Sequence, residues 1–447
     1  MAFMTSTAGR STAPETRAQR GRKSTQRERL LAGMIASANR DGYAGANVSK
    51  IIAGAGVSRP TFYDYFTDKD DCFLATLREI NDEILDEVSQ QLTAGAPEHA
   101  LQRALAAVME YASAQPAKAL FLTSQAMAGG PRALDTRDEG IAAIEQLIEQ
   151  VGVPPDAIIP DVSPRALIGG IYRLLASRLR RGEPRVSRSL EELTAWVESY
   201  GQAAGSQRWR TLQPTSTGSR SAAEAIRPLP APGALPPGRP GIPKEDVAAN
   251  HRARILFAAA HLAASKGYNA TTIGDITRLA GVDGRAFYAS FTDKQDAFMA
   301  VHEIGVQAVM SATASAFFTG STWPDRMWQA GMALTGMLQT NPIVAHVGFV
   351  EAYAVGPGAV QRVEDSHITF TIFLQEGYQQ KPRRTPPSRL ALEAIITSIF
   401  EIVYLEVRRS EEPQLTGLVG HLASLALAPF LGVTAANGFI DQKNSES

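Results

Sequence analysis

The chain has 447 residues and only one cysteine, Cys72. A single thiol forms no disulfide within the chain and builds no cysteine-rich zinc module. No charge sign prevails either: 44 Lys and Arg stand against 45 Asp and Glu, a formal net charge of −1. Taken over the whole length, that balance argues against a polyanionic partner. Short alternating runs closed by hairpin turns are scarce, which argues against a β architecture. The histidines, at 99, 251, 261, 302, 346, 367 and 421, show no HxH or HxxxH spacing, so no metal site is expected. No Ser–His–Asp set or carboxylate pair stands out, and neither catalytic residues nor a cofactor is expected. Met1 to Lys23 lacks the apolar core of a secretory signal, which with the lone cysteine points to the cytoplasm. One stretch, between Glu412 and Asp441, carries no charge at all. It is interrupted by Gly417, Gly420, His421, Pro429 and Gly432 and lacks flanking basic clusters, so it reads as a buried helix and no membrane contact is expected.

What is present is a repeat. Gly42 to Phe73 aligns without gaps with Gly267 to Phe298 at an offset of 225, and 14 of the 32 positions are identical. That period is far too long for a solenoid and indicates duplication of a whole unit. Seven prolines between Pro228 and Pro243 mark the boundary, so 207–245 reads as a Pro-rich linker. Elsewhere apolar residues recur at spacings of three and four, and the fold class is all-α. The expected organisation is a disordered basic arm (1–25), a head (26–72) and a helical body (73–206). After the linker come a second head (246–297), a second body (298–434) and a tail (435–447).

The densest identity lies in a compact pattern. Asn47 can cap a short helix from Val48 to Ala55, and Gly56 supplies the positive φ of a tight turn. Ser58 caps a second short helix with Pro60 in its first turn; Phe62 and Phe66, four apart, face inward. This is a helix-turn-helix pattern, whose second helix enters the major groove of DNA. The arm ahead of it, residues 1–29, holds seven Arg and Lys against two Glu, a net of +5, and Arg22 and Lys23 in it can reach phosphate. Near neutrality thus hides an uneven distribution: by subtraction from −1, the remaining 418 residues carry −6.

Val57-Ser58-Arg59-Pro60-Thr61-Phe62-Tyr63-Asp64-Tyr65-Phe66-Thr67-Asp68-Lys69 resembles the DNA-binding signature of TetR-type transcriptional regulators. The resemblance covers Arg27 to Phe73 and recurs from Arg252 to Phe298. It implies two tandem units, each a three-helix head on a helical ligand-binding and dimerisation body. It also implies base-facing roles for Arg59 and Thr61, and phosphate contacts for Asn47, Tyr63, Tyr65 and Lys69, beside the cap Ser58. In the second copy Thr272, Arg285, Tyr288 and Lys294 match. There Asp283-Gly284-Arg285-Ala286 replaces Ser58-Arg59-Pro60-Thr61, and residues 238–254 carry a net of only +2. The first head is therefore expected to be the main DNA reader.

The second body is richer in aromatics. An apolar pocket for a small hydrophobic or aromatic effector is expected there, with Trp328, His346, Phe349, Tyr353, Phe370 and Phe373 as candidates. Pro164–Tyr200 and Arg389–Gly432 resemble the family's dimerisation helices, which would pair within the chain as a pseudo-dimer or between chains as a homodimer. The function implied is a ligand-responsive repressor acting on a double-stranded DNA operator. The alternative is a helical interaction protein that has lost DNA binding.

Overall fold

The computed structural model describes residues 17–94, 99–151, 163–183, 189–200, 232–233, 242–380, 386–409 and 413–446. Residues 1–16 and nearly all of the Pro-rich segment lie outside them, as do the side chains of Arg22 and Lys23. Among the described residues there is no strand.

The first head is α1 (Arg17–Gly45), α2 (Val48–Ala55) and α3 (Arg59–Tyr63). Helix α1 begins inside the segment that reads from sequence as a disordered arm. Arg17-Ala18-Gln19-Arg20 are good helix formers and continue the helix backwards. It turns at Gly42, φ 74°. Asn47 Oδ1 accepts from the Lys50 amide at 3.0 Å, and Gly56 closes α2 in the left-handed conformation, φ 62°. A side chain at Gly56 would be strained by that φ, and its Cβ would fall 2.7 Å from Arg29 Nη2. That guanidinium itself donates to the Gly56 carbonyl at 2.8 Å. Ser58 caps α3, and Ile51, Phe62 and Phe66 bury between the helices and α1.

The first body follows as α4 (Lys69–Thr93), α5 (Ala100–Ala114), α6 (Pro116–Leu120), a π-helical turn (Phe121–Gln125) and α7 (Ala126–Ala128). It ends with α8 (Pro131–Gln150), α9 (Pro164–Arg180) and α10 (Leu190–Glu198). The second head repeats the first as α11 (Lys244–Lys266), α12 (Ile273–Ala280) and α13 (Gly284–Ser290). Gly267 and Gly281 hold the positive φ of Gly42 and Gly56, and Arg254 Nη2 donates to the Gly281 carbonyl at 3.2 Å. The second body comprises α14 (Lys294–Phe317), α15 (Trp323–Thr340), α16 (Pro342–Phe349), a 3-10 turn (Glu351–Ala354) and α17 (Pro357–Ile368). A long 3-10 segment (Thr369–Gln379) leads on to α18 (Arg389–Arg409), α19 (Val419–Leu431) and α20 (Val433–Glu446).

The C-terminal residues beyond 434 are not a loose tail. Val433, Ala436 and Ile440 share one face of α20 and are buried. Lys443 Nζ lies 2.8 Å from Asp325 Oδ1. The uncharged stretch holds the buried helix α19 and the start of α20, and no described helix is long and apolar enough to cross a membrane.

The two bodies pack on each other within the chain. Helix α9 lies against α18, and α10 adds Tyr200, whose hydroxyl donates to the Leu425 carbonyl at 2.9 Å. Gly169 and Gly170 let the helices approach. A Cβ on Gly170 would sit 2.1 Å from Ser398 Oγ, and one on Gly169 2.3 Å from Glu401 Cγ.

Candidate nucleic-acid interface

Burial of Phe62 and Phe66 sets the orientation of α3, because four residues return a helix to the same face. The opposite face of this short helix then points outward. Arg59 is exposed, with Nη2 3.3 Å from Ser49 Oγ, and Tyr63 is 51% exposed. Thr61 is half-buried and its hydroxyl pairs with Ser58 Oγ at 2.8 Å. Asn47 is exposed at the start of α2. Exposed guanidinium, phenol and amide groups of this kind suit phosphates and base edges.

Tyr65 and Lys69 are placed differently. The Tyr65 hydroxyl turns to Gln26 Oε1 at 3.3 Å. Lys69 Nζ donates to the Tyr43 carbonyl at 3.2 Å and lies 4.0 Å from the centre of the Tyr43 ring. Lys294 does the same with Tyr268, at 2.9 Å and 4.1 Å, and burial lowers its pKa. Both lysines therefore lock the turn between head and body. The amides of the same tyrosines bind the bodies: Tyr43 N–H donates to Gln125 Oε1 at 3.1 Å and Tyr268 N–H to Glu351 Oε2 at 2.6 Å.

The second head keeps the frame but changes the face. Asp283 caps α13, accepting from the Ala286 amide at 2.8 Å. Arg285 is exposed and Tyr288 is 63% exposed. Thr272 caps α12 through a reciprocal pair with Asp275. At the offset of 225, Asp275 stands where the first head has Lys50. It binds Lys266 Nζ at 2.5 Å and Arg278 Nη1 at 3.3 Å, neutralising two cations beside the turn. Sequence reading missed this reversal, although Thr-x-x-Asp at a helix start is its signal.

Two apolar cavities lie in the second body. The first, about 60 Å³, is walled by Ala260 of the head helix α11, by His302, Val306 and Phe349, and by His367 and Phe400. The second, about 50 Å³, is walled by Thr313, Met327, Leu334, Phe373, Ile396 and Leu422. Phe370 and Phe400 line both. Of the candidates from sequence, Phe349, Phe370 and Phe373 reach these walls. Trp328 instead packs on Phe439, with ring centres 6.3 Å apart. His346 lies 3.6 Å from Glu351, and the Tyr353 hydroxyl accepts from Arg173 Nη1 at 2.7 Å. His302 and Thr313 were missed. They lie eleven apart on α14, three helical turns along the same face, where Val306 and Val309 continue the row. Both are almost wholly buried, and His302 Nε2 and Thr313 Oγ1 have no hydrogen-bond partner. Burial pushes the His302 imidazole down to about 4, so it is neutral at pH 7. Cys72 is buried, and burial pushes its thiol up to about 12, which makes it a packing residue.

A capped helix, a left-handed glycine and a second capped helix on a long first helix define a helix-turn-helix head of the DNA-binding class. Residues 30–76 and 255–301 each match the family model described as "Bacterial regulatory proteins, tetR family". The chain thus carries the DNA-binding segment of that family twice. Among solved structures, it is similar to the fatty acid degradation regulator FadR from Bacillus halodurans at 16% identity and TM-score 0.34, over 38% of this chain and 94% of that one. FadR from Bacillus subtilis, solved in complex with stearoyl-CoA, matches at 14% and 0.35, over 38% and 97%. A tetR-family regulator from Rhodococcus RHA1 matches at 22% and 0.32, over 44% and 95%. A comparison with curated proteins finds no match.

Proposed function

We propose that this chain is a ligand-responsive transcriptional repressor in which the first head is the main reader of double-stranded operator DNA and the second body is the sensor. The observation that carries this is the contrast between the two heads on one frame. Arg59 and Tyr63 stand exposed on α3 behind a segment of net charge +5. The matching positions are Gly284 and Tyr288, beside an Asp275 that ties up Lys266 and Arg278. Counterion release from phosphates favours the first face. Asn47, Ser58 and Thr61 support it, and Tyr65 and Lys69 hold it in position. In the sequence Arg22 and Lys23 add to the positive charge ahead of this head, and the second head, through Thr272, Arg285 and Tyr288, reads a different half-site more weakly.

The effector is a small hydrophobic molecule with one or two uncharged polar groups. Support comes from the apolar walls of the two cavities and from the unpartnered His302 Nε2 and Thr313 Oγ1 inside them. A bound molecule would press on Ala260 of α11 and on α16, next to the Glu351–Tyr268 bond. From the same 3-10 turn Tyr353 reaches Arg173 of the first body, a route by which occupancy would shift both heads.

Selection of DNA fragments by the purified protein tests this reading. A bipartite sequence with two unlike halves, bound less well as salt rises, is expected. No enrichment, or binding indifferent to salt, would favour the helical interaction protein instead.

A further inference from the structure

We propose that the two bodies carry a charge and shape code that pairs the first copy with the second inside one chain and excludes pairing of like copies between chains. This rests on the contact between α8, α9 and the second body, and holds whatever the heads bind.

The charges are sorted by copy. Arg137, Arg173, Arg178, Arg180 and Arg181 of the first body meet Glu364, Asp365, Glu393 and Glu401 of the second. Arg408 runs the other way, to Asp135 and Asp138. At the centre, Glu401 is 0% exposed and Arg137 1%. Arg137 donates to both Glu401 oxygens, at 2.8 and 3.0 Å, and Arg173 Nε adds a third bond at 2.6 Å. A buried carboxylate between two guanidiniums survives only with both partners present.

The offset of 225 shows what like-with-like pairing would meet. It lays Ser163, Ala166, Leu167 and Ile171 on Ser388, Ala391, Leu392 and Ile396. It also lays Ala176 on Glu401, so two first copies would bury Arg173 against alanine without its acid and leave Arg137 with Asp138 alone. It lays Gly169 and Gly170 on Ala394 and Ile395. Two second copies would then push side chains into places where a bare Cβ already falls 2.3 Å from Glu401 Cγ and 2.1 Å from Ser398 Oγ. Charge excludes one like pairing, and shape the other. The consequence is a single chain presenting two unlike heads, without exchange between chains.

Sedimentation and thermal unfolding of four full-length chains test this: the unchanged protein, Arg178→Glu with Arg180→Glu, Glu364→Arg with Glu393→Arg, and all four changes together. The unchanged protein should have the mass of one chain, 47.9 kDa. Each one-sided reversal should lower the unfolding midpoint by roughly 5 °C or more. The fourfold reversal should recover most of that loss and keep the one-chain mass. An unchanged protein of two-chain mass overturns the proposal. So does a fourfold variant no more stable than the weaker of the one-sided pair, because the faces would then not be complementary by charge.

Discussion

Arg137 and Glu401 lie 264 residues apart and share a two-pronged ion pair with neither side chain open to water. Burial alone would raise the Glu401 carboxyl, but the charges of Arg137 and Arg173 hold it at about 2. Removing the acid leaves the Arg173 guanidinium buried without a counter-charge and Arg137 with Asp138 alone. Glu401→Ala should therefore cost about 3–5 kcal/mol of stability, measured by urea unfolding. The pair also sets an acid limit. A carboxyl held below its ordinary 4.5 contributes stability that is full above that pH and is lost as pH falls towards 2. Glu401→Gln should show less of that low-pH slope than the unchanged protein.

The buried histidines set a different window. Burial lowers His302 and His421 from 6.5 to about 4. The unfolded chain then takes up protons that the folded chain refuses, so stability is full above pH 6.5 and falls between 6.5 and 4. His302→Leu should flatten the pH dependence of the unfolding midpoint across this range. An unchanged slope would mean that the imidazole titrates as an exposed group.

Paired substitutions separate the two heads. Arg59→Ala with Tyr63→Ala should weaken operator binding at least about tenfold, on the order of 1–3 kcal/mol, with folding retained because both side chains are exposed. Arg285→Ala with Tyr288→Ala should have a smaller effect and alter preference in one half-site only. Fluorescence anisotropy at fixed salt measures both, and equal losses would refute the ranking of the heads.

An apolar fluorescent probe should bind in the second body. Val309→Trp adds a ring to the wall of the first cavity and should lower probe affinity about tenfold or more while leaving DNA binding intact. Probe binding that Val309→Trp leaves unchanged would contradict the assignment.

Most of each head was legible in the sequence because its signals are local. A cap, a glycine and a next cap lie within a dozen residues, and the structure places Asn47, Gly56 and Ser58 in those roles. The face of α3 followed from Phe62 and Phe66 four apart. Lys69 did not, because its destination is the Tyr43 carbonyl, 26 residues upstream, across a contact that no periodicity reports. The cavity was half legible. Aromatic content pointed to the second body, yet Trp328 and Tyr353 turned to other partners, and His302 and Thr313 were found only where α14 met α15 and α18.

By itself the sequence determined the duplication, the helical class, the two helix-turn-helix segments and the uneven charge of the two heads. Each follows from residue type and short spacing along one chain. Tertiary structure decided which residues wall the two cavities of the second body. It also decided which arginines meet which acids, because those pairings depend on side chains brought together over more than two hundred residues. Near neutrality, the first fact the composition offered, acquired its meaning there. The charges of α9 and the second body largely cancel because they face each other across an interface that only folding makes.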